Sequence, residues 1–191
     1  MTGKMMASAV LAAYVVLVLF SCKKANSPEE EITVSSLKVN NGELSGWTDQ
    51  RSGVYYTVDS WASPAGGQRD GEAYHYTVDP GLTLTAVLDQ MMTGPNGAGV
   101  TLYVIDYSNA TNAASMFNYQ KNWGAFLSSP EPLTPNYSNT VAVGENSHDG
   151  IYVCAYFGQF YIEMRFTGYA DFSLSKTDAL SFLLWFETKI D

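Results

Sequence analysis

The 191-residue chain carries 19 Asp and Glu against 10 Lys and Arg, a formal net charge of −9 at pH 7. So acidic a composition, with no basic cluster to offset it, argues against nucleic acid as a partner and against charge-driven adhesion to anionic lipid headgroups. Cys22 and Cys154 are the whole cysteine complement.

Lys4 is the only charge before the apolar run from Met5 to Phe20. A positive start, a short apolar stretch and a small residue before a cut site have the layout of a secretory signal, and the run is shorter than the ~20 residues that span a bilayer comfortably. It closes on Leu19-Phe20-Ser21-Cys22. This resembles the lipobox of bacterial lipoproteins, in which a branched apolar residue stands three positions before the modified cysteine. Leu19 and Ser21 fit that pattern, whereas Phe20 is larger than the usual residue. The resemblance implies a signal peptide over 1–21 and acyl chains on Cys22, the alternative being an uncleaved signal anchor. Lipidation of Cys22 would leave Cys154 with no intrachain disulfide partner. Several acyl chains hold far more firmly than one, each buried methylene adding ~0.8 kcal/mol. Lys23 stands where inner-membrane retention often uses an aspartate, so the resemblance points to the outer membrane of a cell envelope.

From Lys23 to about Ser36 large apolar residues are nearly absent, and "NSPEEE" is a charge block with a proline. Residues 22–40 therefore read as the lipidated cysteine and a flexible acidic tether. Residues 41–191 remain as a single globular domain of about 150 residues, enough for one core.

Along that domain, "GVYYTVDSW" (53–61) reads as a first strand and "ASPAGGQRDG" (62–71) as a loop. "EAYHYTV" (72–78) fits a short helix or a strand equally. "GLTLTAVLDQMM" and "VTLYVIDY" flank the breaker "TGPNGAG" and form an antiparallel hairpin. Ser108 or Asn109 then caps a helix with Ala113, Met116 and Phe117 on one face. Pro130, Pro132 and Pro135 close that segment, and "NTVAVGENSHDG" gives a short strand and turn.

The strongest signal is "GIYVCAYFGQFYIEMRFTGY" (150–169). Gly158-Gln159 between two β-rich runs is a two-residue hairpin turn, which fixes the register. Counting outward, Phe157 faces Phe160, Ala155 faces Ile162, Val153 faces Met164 and Ile151 faces Phe166, all apolar and hence a core face. The other face pairs Tyr156 with Tyr161, Cys154 with Glu163 and Tyr152 with Arg165. A slip of one residue would destroy this separation. "SLSKTDALSFLLWFETKI" reads as a closing helix with a capping box of Ser175 and Asp178, its stripe of Ala179, Phe182, Leu183, Phe186 and Ile190 covering the core face. The expected class is α+β, an antiparallel sheet with helices packed on it.

The element order, Gly46-Trp47, the "GEAY" of Gly71 to Tyr74, and a strand leading to an alanine-rich helix ending in Met116-Phe117 resemble uncharacterised bacterial lipoproteins with a PsbP-like sandwich fold. The resemblance spans about Gly46 to Ile190 and its motifs are structural. It implies an accessory subunit that assists a larger assembly, and it brings no catalytic residues.

Chemistry is sparse. His75 and His148 are the only histidines, and no nucleophile motif accompanies Cys154 or a serine. Glu145, His148 and Asp149 share a turn without the spacing of a metal motif, and the glycine-rich 63–71 stretch lacks a phosphate-binding pattern. No catalytic residue, cofactor or metal is expected. Tyr152, Tyr156, Tyr161, Glu163 and Arg165 form the one constellation for a binding face, since tyrosines around an acid–arginine pair suit an interface. The competing account is a helix laid over that face, making the pair an ordinary cross-strand contact. These readings give a lipid-anchored envelope protein acting through protein–protein contacts. The rival is a small-molecule or lipid carrier or sensor with an aromatic-lined pocket.

Overall fold

The structure is a computed structural model and describes residues 31–50, 54–57, 81–122, 133, 140–146 and 150–190. Leu19 to Cys22, the loop at 62–71, the 72–78 segment, both histidines, and Pro130, Pro132 and Pro135 lie outside the described residues.

The described residues form seven strands and two α-helices, besides a 3-10 turn at Pro95–Gly97: β1 (Thr48–Asp49), β2 (Val54–Thr57), β3 (Ala86–Thr93), β4 (Gly99–Asp106), α1 (Ala110–Asn122), β5 (Val141–Asn146), β6 (Gly150–Phe157), β7 (Phe160–Thr167) and α2 (Phe172–Ile190). All strands join one antiparallel sheet in the order β1-β3-β4-β7-β6-β5, with β2 also on β3. β1 and β2 share the outer edge of β3: Thr48 pairs with Thr93, and Val54 to Thr57 pair with Asp89 to Ala86. The sheet is thus two meanders joined along β4 and β7, where Asp106 meets Phe160 and Gly99 meets Thr167. This is the α+β architecture expected from the sequence.

The β6–β7 register is the one counted from the turn, from Phe157 opposite Phe160 to Tyr152 opposite Arg165. Gly158 adopts φ +53, the conformation that a glycine-first hairpin turn requires. Strand alternation sends Val153, Ala155, Ile162, Met164 and Phe166 to one face, where Ala179, Phe182, Leu183 and Phe186 of α2 meet them. Tyr152, Cys154 and Tyr161 go to the other face, against Ala113, Met116 and Phe117 of α1. Both helices pack on β6 and β7, which are therefore covered on each side. Among the described residues no helix is long and apolar enough to cross a membrane.

Of the two candidate caps for α1, Asn109 is the one used: its Oδ1 accepts the Asn112 N–H at 2.9 Å. The cap of α2 differs from expectation. The Ser173 N–H donates to Asp171 Oδ1 at 2.8 Å, and Ser175 lies inside the helix, fully buried. Asp178 instead accepts the Tyr169 hydroxyl at 2.7 Å. The Ser175–Asp178 capping box is therefore corrected to an Asp171 cap, one turn earlier.

The domain boundary is corrected too. The globular unit begins at Ile32, and residues 32–40, assigned to the tether from composition, form a strap over the sheet. Val34, Leu37 and Val39 are buried in the α2-side core. The Val39 N–H donates to Gln90 Oε1 at 3.1 Å, and Gln90 Nε2 donates to the Val39 carbonyl at 2.7 Å. The side-chain amide of β3 thus does the work of a neighbouring strand for one residue. A Lys189–Glu43 ion pair at 3.1 Å sits at the exposed rim and contributes less than ~1 kcal/mol, while the Lys38–Asp49 pair, also 3.1 Å, is more deeply set, with the Asp49 side chain buried. Burial dominates, because a fully buried Val or Leu is worth about 1.5–3 kcal/mol. Gln90→Ala, which leaves both Val39 groups without this partner, is expected to cost about 1–3 kcal/mol. Hydrogen exchange at Val39 should accelerate more than in β6, and equal protection in the parent and the Gln90→Ala variant would assign the strap's hold to its side chains alone.

Trp47 anchors the end of this segment. Its ring stands edge-on to Phe182 at 5.0 Å and 83°, and to Phe166 at 6.1 Å and 82°. Gly94 lies against the indole so closely that a Cβ there would sit 2.8 Å from ring carbons.

Candidate functional site

The constellation singled out on the hairpin comes together around Glu163, which is fully buried at the middle of β7. Burying a carboxylate is costly unless its oxygens are filled. Here Oε1 accepts the Tyr152 hydroxyl at 2.6 Å and both Nε and Nη2 of Arg165 at 3.0 Å. Oε2 accepts Gln120 Nε2 at 3.1 Å and the Tyr161 hydroxyl at 3.2 Å. Five donors thus converge on a group with about four lone-pair sites.

Each donor arrives by a simple route. Tyr161 and Arg165 lie two residues either side of Glu163 on the same strand face. Tyr152 is the cross-strand partner of Arg165. Gln120 projects from α1 three residues after Phe117, on the helix's buried face. Arg165 reaches the rim, its side chain 30% exposed where that of Glu163 is 0%. Its guanidinium carbon lies 5.0 Å over the Tyr152 ring and 5.6 Å over the Tyr103 ring. Rings on both sides give the cation a quadrupolar partner and hold the fork in plane.

The neighbours are kept neutral. Burial first, and the Glu163 charge second, push the Tyr152 and Tyr107 phenols and the Cys154 thiol above their ordinary ranges. Cys154, fully buried opposite Glu163, is a thiol rather than a thiolate nucleophile. The Tyr152 phenol stays a protonated donor, as its bond to the Glu163 carboxylate requires.

Raised values carry a sign. A group that holds its proton more tightly in the fold contributes fully below its ordinary value and loses that contribution as pH rises past it. The ordinary values are 9.0 for Cys154 and 10.0 for Tyr107 and Tyr152. Stability is therefore expected to decline from about pH 9 upward and more steeply beyond about pH 10, as the unfolded thiol and phenols ionise. Urea midpoints measured against pH, alongside phenolate absorbance, test this. Phenolate signal from Tyr107 and Tyr152 should appear only with unfolding, and full ionisation in the folded state would contradict the network.

As a binding face the constellation needs correcting. Tyr152 and Tyr161 are buried with Glu163 beneath α1, and Phe117 lies 5.3 Å from the half-buried Tyr156 ring. The covering helix, one of the two accounts the sequence allowed, is what the structure has. Arg165 and Tyr156 alone keep part of their surface. Sequence reading missed Gln120, Tyr103 and Tyr107; a glutamine on an otherwise apolar helical stripe was the one local sign. Among the described residues no group of three or more His, Cys, Asp or Glu side chains is placed to hold a metal ion. Chemically the arrangement locks sheet to helix, with a carboxylate whose acceptors are committed. Comparison of the chain with protein-family models, curated proteins and solved structures finds no match to any of them.

Proposed function

We propose that this chain is a lipoprotein of the bacterial cell envelope, carrying acyl chains on Cys22, whose domain is a binding or accessory module acting through protein–protein contacts. The observation that carries the reading is Leu19-Phe20-Ser21-Cys22 at the close of a short apolar run. The saturated Glu163 network supports it from the domain's side, because a carboxylate holding five donors is suited to fixing a scaffold rather than to exchanging protons. The resemblance to PsbP-like accessory subunits belongs to the same proposal, with the outer membrane as the destination.

Native mass spectrometry of the full-length protein, extracted gently from its host's membranes, tests it. A mass beginning at Cys22 with acyl chains added is expected, with a protein adduct marking the accessory role. An unacylated mass that keeps Met5 to Phe20 would overturn the anchor, and a bound small apolar molecule would favour a carrier.

A further inference from the structure

From the outer face of α2 we infer that this helix lies against the membrane to which the chain is anchored. The inference rests on the lipid proposed at Cys22 and adds the orientation of the domain.

The inner stripe of α2 fills the core, yet its outer stripe is not charged. Leu174, Thr177, Ser181, Leu184 and Thr188 recur at intervals of three and four, one continuous line on a helix. Leu174 and Leu184 are the exposed large hydrophobic side chains among the described residues, 57% and 47% accessible. The hydroxyls along this stripe are bonded back to the helix's own carbonyls. Thr177 donates to the Ser173 carbonyl at 3.1 Å, Ser181 to that of Thr177 at 3.2 Å, and Thr188 to that of Trp185 at 2.7 Å. The stripe therefore presents carbon with its polar hydrogens already satisfied. Beside it, half-buried Trp185 carries Lys189 Nζ 5.2 Å over its ring, the amphipathic type of side chain that settles at the headgroup level.

The point where the tether enters the domain favours a lipid surface over other occupants. Ten residues from Cys22 to Ile32 reach at most ~35 Å even when fully extended. A domain of this length is roughly 40 Å across. Ile32, the first residue of the strap, packs half-buried against the core on the α2 side of the sheet. The chain from Cys22 thus enters the domain in the layer that carries the α2 stripe, so acyl chains there are held within ~35 Å of that layer. The contact is apolar, so the acidic net charge does not oppose it on a zwitterionic surface. A helix lying in the interface is also the second signal that makes acyl anchoring durable.

The test uses full-length, acylated protein reconstituted into phosphatidylcholine vesicles, spin-labelled through Ser181→Cys on α2 or through Asn118→Cys on the exposed side of α1. Cys154 is buried and Cys22 acylated, so the label goes where it is placed. Relative to detergent solution, accessibility to oxygen over a nickel chelate should rise severalfold at position 181 and stay unchanged at 118. Leu174→Ser with Leu184→Ser should return position 181 to aqueous values while the protein stays in the vesicle fraction. A water-exposed label at 181, on protein whose mass shows the acyl chains, would overturn this inference and leave the anchor standing. Dipolar broadening at 181 would assign the stripe to a second copy and overturn it too. Absence of acyl chains would remove both readings together.

Discussion

Glu163→Ala is expected to lower the stability of the fold by about 3–5 kcal/mol, the range for removing one partner of a buried ion pair. The loss arises less from the missing carboxylate than from what it leaves behind. Arg165 keeps its charge between two rings, and Tyr152, Tyr161 and Gln120 keep donors aimed at an empty site. Because the deficit lies in orphaned donors, removing the cation as well should recover part of it. Glu163→Leu combined with Arg165→Met is therefore expected to be milder than Glu163→Leu alone. Denaturant midpoints of the single and double variants measure the coupling. Strict additivity would mean that the pair is only a rim contact, contrary to the full burial of Glu163.

Trp47→Ala is expected to cost a similar ~3–5 kcal/mol, for a different reason: a cavity at a junction of three elements. The indole joins the segment that follows the strap to Phe166 of β7 and Phe182 of α2, with Gly94 pressed against its ring. These partners belong to separate elements and cannot all move in to refill the space. Trp47→Phe should lose distinctly less, since it retains an edge-on ring at the centre of the cluster. Urea unfolding of both variants separates the outcomes. An alanine variant within ~1 kcal/mol of the parent would show that the site collapses, against the range for a cavity that persists.

How far the sequence could be read depended on the distance over which each feature is determined. The β6–β7 pairing from Tyr152–Arg165 to Phe157–Phe160 was legible because a two-residue turn sets the register locally. The α2 stripe was legible for the same reason, 3.6-residue periodicity being a property of one segment. The strap was not. Val34, Leu37 and Val39 stand singly among polar residues, and only the Gln90 amide, far along the chain, makes their burial worthwhile. The α2 cap was misplaced because Asp171 and Ser175 are both capping types, and the choice fell to Tyr169, which claims Asp178. At the site, Tyr161, Glu163 and Arg165 shared a face by alternation alone. Gln120 and Tyr103 reached it only through the docking of α1 and the pairing of β4 with β7, which no local pattern encodes.

That central seam between β4 and β7 also orders events in time. Gly99 waits for Thr167 and Asp106 for Phe160, while the strap and Trp47, made first, wait for Phe166 and Phe182. Long-range pairings of this kind are slow to close. A ribosome must therefore finish most of the chain before Trp47 can complete its packing against the core.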